Sequence, residues 1–237
     1  MARKRATNEF IEYLLAHPVI EGDSLRLPPL NDLSRQLGMS VSTLREQMEA
    51  ARALGLVEAR PRTGVRRLPY SFLPAVSESL SYAIALDQDY FQKYADLRQK
   101  IETAYWYEAV QLLTDEDHIR LRALVNRAWE KLRGSPIQIP QGEHREMHLL
   151  IYRRLNNPFV LGLLEAHWDA YEAVGLNLYA DYFYLEEVWG YHQRMVDGIL
   201  TGDLEAGYQA LLEHTDLLHH RAIQQESGVT LIKNGLE

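Results

Sequence analysis

Apolar residues near the N-terminus recur at helical spacing. Phe10, Ile11, Leu14 and Leu15 predict a first helix over 6–16, which Pro18 stops. A short helix over 30–37 follows the Leu27-Pro28-Pro29 turn and ends at Gly38. Ser40 is a good N-cap for a third helix over 41–54, which Gly55 closes. Leu56-Val57-Glu58-Ala59 and Val65-Arg66-Arg67-Leu68 flank Arg60-Pro61-Arg62-Thr63-Gly64 and predict a two-stranded hairpin. Beyond Pro69 the pattern holds no strand signal. Helices are expected over 77–87, 89–113, 116–133, 142–155, 159–178, 186–201 and 203–222, with the clearest breaks at Asn156-Asn157-Pro158 and Thr201-Gly202-Asp203.

These elements predict a mainly α protein. A three-helix head with a small β hairpin spans 1–69, a linker 70–76, an antiparallel helical bundle 77–225 and a polar tail 226–237. In the head, Leu33 to Arg45 runs helix, glycine turn, serine-capped helix. That is the order of a helix-turn-helix, whose second helix presents its N-terminal residues to the major groove. Ser42, Thr43 and Arg45 have the right chemistry there. Hydroxyls bond phosphates and base edges, and a guanidinium forks onto guanine or grips a phosphate. The plainer reading is a helical hairpin with a polar face; the hairpin that follows makes the head a winged helix-turn-helix.

Charge supports this division. Residues 1–69 hold 11 Lys and Arg against 8 Asp and Glu, a balance of +3, whereas the remainder carries −11. A basic head on an acidic body suits a nucleic-acid module joined to something else. The chain has no cysteine, which excludes disulfides and thiolate metal sites. It shows neither an apolar signal-peptide core nor a run of about 20 apolar residues, so a cytoplasmic protein without a membrane anchor is expected.

The histidines of the body are where chemistry concentrates. His17, His118, His219 and His220 lie near helix or chain ends and are expected in solvent; His167 is ambiguous. His144 and His148 share a helix face with Ile151 and Leu155. His192 shares one with Val188, Met195 and Ile199, and His214 lies beside Leu211 and Leu218. If the last two helices form a hairpin turning at Thr201-Gly202, His192 and His214 sit at similar depth, and the four rings can converge. Each is explained alone as a satisfied core histidine; together they could hold one divalent ion per chain, Zn or Ni by ligand type. Arg98 is a candidate for gripping a carboxylate effector, or else an i,i+4 ion-pair partner of Glu102.

The head resembles the GntR family of regulators, from Leu27-Pro28 through Leu33…Leu37-Gly38-Met39-Ser40 and Thr43-Leu44-Arg45 to Leu54-Gly55-Leu56-Val57 and Thr63-Gly64. The resemblance implies a dimer on double-stranded operator DNA, touched by Ser42, Thr43, Arg45 and the wing tip Thr63-Gly64. Asn31 and Val41 stand where many members carry Arg, so the family's operator does not transfer. The body resembles the FadR-type branch with an FCD domain, through Leu97-Arg98…Ile101-Glu102, His144…Met147-His148…Asn157, His192…Ile199, Gly202-Asp203, Ala206 and His214. In metal-binding members an Asp and three His hold the ion, and a small carboxylate completes its coordination. The matching histidines here are His148, His192 and His214, with His144 in place of the Asp.

The expected function is that of a ligand-responsive transcription regulator, a homodimer that binds a small anionic metabolite near a metal. It is not expected to be an enzyme. Two alternatives stay open: a metal-dependent enzyme domain on a DNA-binding head, and a purely structural C-terminal domain with an empty site. Against the first, Glu143 and Glu146 point away from the His144/His148 face and supply no general base.

Overall fold

The computed structural model describes residues 8–17, 26–60, 64–174 and 182–215, which fall into two compact units divided between Leu86 and Asp87. Described residues are mainly helical, with one small hairpin, and past Pro69 they contain no strand.

In the first unit, α1 (Glu9–Ala16) is capped by the Asn8 side chain, which accepts from the Ile11 backbone N–H. Gln47 ties it to the third helix, its Oε1 accepting from the Phe10 N–H at 2.8 Å. Helix α2 (Leu30–Leu37) stops at Gly38, whose φ of 67° is the left-handed conformation that glycine adopts freely. Ser40 then opens α3 (Val41–Ala53), its hydroxyl accepting from the Thr43 N–H. Strands β1 (Val57–Arg60) and β2 (Gly64–Arg67) pair antiparallel, Val57 opposite Arg67. On the other edge of β2, Leu27 donates its N–H to Val65 O. Phe10, Leu14, Leu33, Leu44, Ala51 and Val57 close a small core.

Helix α4 (Leu73–Leu86) begins four residues before the expected start at 77, inside the stretch read as a linker. Pro74 explains the earlier start: in a first helical turn its missing N–H costs nothing and its fixed φ suits the helix.

The second unit contains α5 (Asp89–Gln111), α6 (Asp115–Leu132), α7 (Gln141–Tyr152), α8 (Pro158–Val174), α9 (Tyr182–Thr201) and helical residues 204–215. Trp106, Leu121, Leu124, Met147, Ile151, Leu164, Trp189 and Met195 are among its buried residues. Thr114 and Asp117 form a capping box at the start of α6, and Arg153 and Arg154 both bond the Asp117 carboxylate. The turn after α9 is tight. A Cβ on Gly198 would lie 2.6 Å from Gly207 N, and one on Gly207 would lie 2.8 Å from the Trp106 ring. Only hydrogen fits at either position, so the two helices approach closely enough to set His192 opposite His214.

Candidate functional site

In the head, the first turn of α3 carries Ser42, Thr43 and Arg45 outward, while Leu44 between them fills the core. The Thr43 hydroxyl lies 2.8 Å from that of Ser40, so the cap and the exposed turn are one hydrogen-bonded unit. Gly64, exposed with φ of 80°, opens β2 at the wing; Thr63 lies outside the described residues. Asn31 is exposed at the start of α2.

The body brings together the four histidines that the inward faces single out. His144 and His148 come from α7, His192 from α9 and His214 from the segment 204–215. Each offers a ring nitrogen, and these nitrogens all lie within 4.8 Å of one another. His148 Nε2 is 3.2 Å from His192 Nε2, which is 3.3 Å from His214 Nε2. A tetrahedral ion bound at roughly 2.0–2.1 Å holds its nitrogens about 3.3 Å apart, so these spacings match one coordination sphere. His148, His192 and His214 are fully buried; His144 is partly exposed.

The electrostatics favour ligation. Burial lowers all four histidines well below the ordinary value. Arg98 adds to the effect at His148, His214 at His192, and His148 at both His144 and His214. Neutral imidazole, the form that ligates, is thus the form the chamber keeps. His144 Nε2 is buried with no hydrogen-bond partner, an orphan acceptor or donor that a ligated ion would satisfy. The residues fit a divalent ion.

Beside the cluster lie Arg98 and Glu102, one turn apart on α5 and both buried. Arg98 Nη2 is 2.9 Å from Glu102 Oε2, so the ion pair weighed for Arg98 is present. The same Nη2 is 2.9 Å from His148 Nδ1, and the guanidinium lies over the Trp168 ring at 5.2 Å. Burial pushes the Glu102 carboxyl up, and Arg98 pulls against it. Glu102 Oε1 is 3.1 Å from His148 Nδ1. The tautomer that donates Nδ1–H to this carboxylate leaves the Nε2 lone pair facing His192, the orientation a metal-bound histidine needs. Sequence reasoning treated Glu102 only as a partner of Arg98. Its place against His148 depends on how α5 packs on α7, which spacing within one helix does not reveal.

Trp168 escaped the pattern; it packs its ring 4.6 Å from His144 and 5.3 Å from His148. His167, ambiguous by sequence, is buried and stacked on Phe91, and burial lowers its pKa as well. Glu143 and Glu146 face away, paired with Lys131 and Arg120 respectively. His17 is exposed and His118 partly so; His219 and His220 lie outside the described residues.

Comparison with known proteins agrees with this architecture. The model of the FCD domain matches residues 94–217, which contain all four histidines, Arg98 and Glu102. The Escherichia coli K12 protein YieP, described as an uncharacterized HTH-type transcriptional regulator, is 24% identical over 234 residues. The match covers 91% of this chain and 98% of YieP. The solved structure of Streptococcus agalactiae GntR shares the fold at a TM-score of 0.66 and 17% identity, over 90% of this chain and 97% of that one. YieP is named as a transcriptional regulator rather than an enzyme, and among the described residues no helix is long and apolar enough to cross a membrane. The chain belongs to the GntR family of DNA-binding helix-turn-helix transcription regulators, in the branch that carries a C-terminal FCD domain.

Proposed function

We propose that the protein is a metal-dependent, metabolite-responsive regulator. One divalent ion per chain, Zn or Ni, is held by His144, His148, His192 and His214. A small carboxylate bound beside it biases the grip of the heads on an operator. The observation that carries this reading is the convergence of four ring nitrogens within 4.8 Å in a buried chamber. The ion would supply a fixed positive charge that attracts an anion. The chain's own residues provide the rest: Glu102 orients His148, and Trp168 and Trp189 pack against the His144 ring.

Charge indicates the effector class. Four neutral imidazoles leave a divalent ion's charge uncompensated, and a buried +2 is costly without an anionic partner. Arg98 adds a further guanidinium whose Nε is buried without a hydrogen-bond partner, an available donor for a carboxylate. On DNA, Ser42, Thr43, Arg45 and the Thr63-Gly64 wing tip are the proposed contacts. A single head offers little surface for specific binding, so a cytoplasmic homodimer on a two-fold operator follows, assembled mainly through residues after 75.

Gel-shift titration on the DNA upstream of the protein's own gene tests the coupling. Protein loaded with Zn²⁺ and protein stripped by chelator should differ in affinity, and acetate or a larger carboxylate should change the loaded protein alone. Identical titrations in all states would reject a sensing role. Light scattering that finds a monomer at micromolar concentration would reject the dimer.

A further inference from the structure

The wing sheet divides its arginines between its two faces. Cross-strand partners point to the same side, so Glu58 with Arg66 and Arg60 with Gly64 share one face. Arg26 joins them, because it pairs with Arg66 from the other edge of β2. Val57 and Val65 lie on the opposite face and pack in the small core. Arg67 lies with them, and its Nη1 is 2.6 Å from both Leu14 O and His17 O, so it caps the end of α1. The outer face carries three guanidiniums against one carboxylate, a balance of +2 within the +3 of residues 1–69. Arg26 and Arg60 are exposed. Glu58 holds Arg60 and Arg66, each by Nε at 3.1 Å. Arg26 reaches the wing tip: its Nε and Nη2 lie 3.6 and 3.8 Å from where a Cβ on Gly64 would stand.

Like charges set directly opposite each other on neighbouring strands, as Arg26 and Arg66 are, weaken a sheet. A polyanion laid across the face turns that repulsion into attraction. We propose that the outer face of the wing sheet is a second DNA-binding surface, on which Arg26, Arg60 and Arg66 grip backbone phosphates beside the wing tip. This rests on the DNA contacts proposed above and extends them to residues outside α3. The guanidinium fork matches two phosphate oxygens at once, and Glu58 positions two of the three forks. Arg26 is the foremost of them, because it lies alongside Gly64 at the tip. A side chain longer than a methyl at 64 would crowd it. Phosphate contacts fix a protein's register on the duplex without reading sequence. The face therefore anchors the wing, and the bases are left to the first turn of α3.

The test uses full-length protein and a labelled duplex of arbitrary sequence, since phosphate contacts need no operator, with affinity measured across a salt series. Each phosphate contact steepens the fall of log affinity with log salt by about 0.9. Arg26→Ala should make that slope shallower by about 0.9 for each head on the DNA and lower affinity roughly tenfold near 0.1 M salt, with an unchanged melting curve. Arg26→Lys, which keeps the charge, should keep most of the slope. Arg194→Ala removes the same charge from an exposed pair with Glu213 in the body and should bind as wild type does. If Arg26→Ala melts early, Arg26→Gln, closer in length, repeats the comparison. A wild-type slope for Arg26→Ala beside a shallower one for Arg45→Ala would overturn the wing surface and leave α3 on the DNA. Arg26→Lys as deficient as Arg26→Ala, or Arg194→Ala as shallow as either, would also overturn it, because the effect would then be structural or one of net charge. If wild type shows no salt-dependent binding to any duplex, the DNA contacts of the head fall, and the wing surface with them.

Discussion

The head holds its candidate DNA-contacting side chains in solvent, whereas the body takes its candidate ligating side chains out of it. Ser42, Thr43 and Arg45 project from one exposed helical turn, and their polar atoms have water as a partner when no DNA is present. In the body, four imidazoles, Arg98 and Glu102 are packed among Trp168, Trp189 and Met195, where water is no substitute. An exposed surface of the kind proposed to meet phosphate and base edges can wait unoccupied at little cost. A buried polar chamber cannot, because each unsatisfied group there costs about 1–3 kcal/mol. An ion bound in the proposed site would therefore stabilise the folded chamber, a coupling that the proposed sensing role requires.

The buried carboxylates sharpen the contrast within the body itself. Asp117 accepts from Thr114, Arg153 and Arg154, and these bonds hold its carboxyl well below the usual carboxylate range despite burial. Glu102 has one guanidinium and an imidazole, and burial pushes it up. The first is a satisfied structural joint between α6 and the end of α7; the second is underpaired, beside the site.

The largest effects should come from the chamber. Glu102→Ala leaves Arg98 buried without its counter-charge, and breaking a buried pair in this way costs about 3–5 kcal/mol, measurable by urea denaturation. If Glu102→Ala costs no more than an exposed substitution such as Glu49→Ala, the pair is not the buried joint described here. Chelation of loaded protein should remove a comparable amount, about 4 kcal/mol where free ion stands at a thousand times its dissociation constant, read as a lowered melting temperature.

Acid should separate the buried histidines from Asp117. The buried histidines have folded pKa values below the unfolded one, so unfolded chains bind more protons as pH drops beneath about 6.5. Their contribution is full above that value and falls on acidification through the folded values, with release of any ion. Asp117, also depressed, contributes fully above the ordinary carboxylate pKa and is lost only in stronger acid. Stability should thus fall in two stages. A profile flat from pH 7 to 5 would remove the histidines from the account; His148→Ala should shrink the first stage and leave the second.

The head should show the smallest effects on stability and a clear one on binding. Arg45→Ala should weaken operator binding by roughly 1–3 kcal/mol if Arg45 reads a base, with an unchanged melting curve. Ser40→Ala removes the α3 cap and should cost about 1 kcal/mol of stability. Wild-type gel shifts for Arg45→Ala would take that residue out of the interface.

How much of this was legible in the sequence follows the same division. Helix α2 was readable to the residue, because Pro29 and Gly38 bracket it, and α3 nearly so between Ser40 and Gly55. The four histidines were readable because each lies on a stripe of apolar residues, and a stripe shows which side of a helix faces the core. What faces that stripe across the core was not. The contact of Glu102 with His148, and the walls that Trp168 and Trp189 form around His144, depend on how α5, α8 and α9 pack against α7. The early start of α4 at Leu73 was hidden by Pro74, which reads as a breaker in isolation and is a good first-turn residue in a helix.

Whether the histidine chamber holds an ion is decided by elemental analysis of purified protein beside its His148→Ala variant, with melting curves recorded in chelator. Wild type should contain about one divalent ion per chain and the variant far less, and chelator should lower the melting temperature of wild type alone. No metal in wild type, together with melting curves that chelator leaves unchanged in both proteins, would contradict it and return the four histidines to the core.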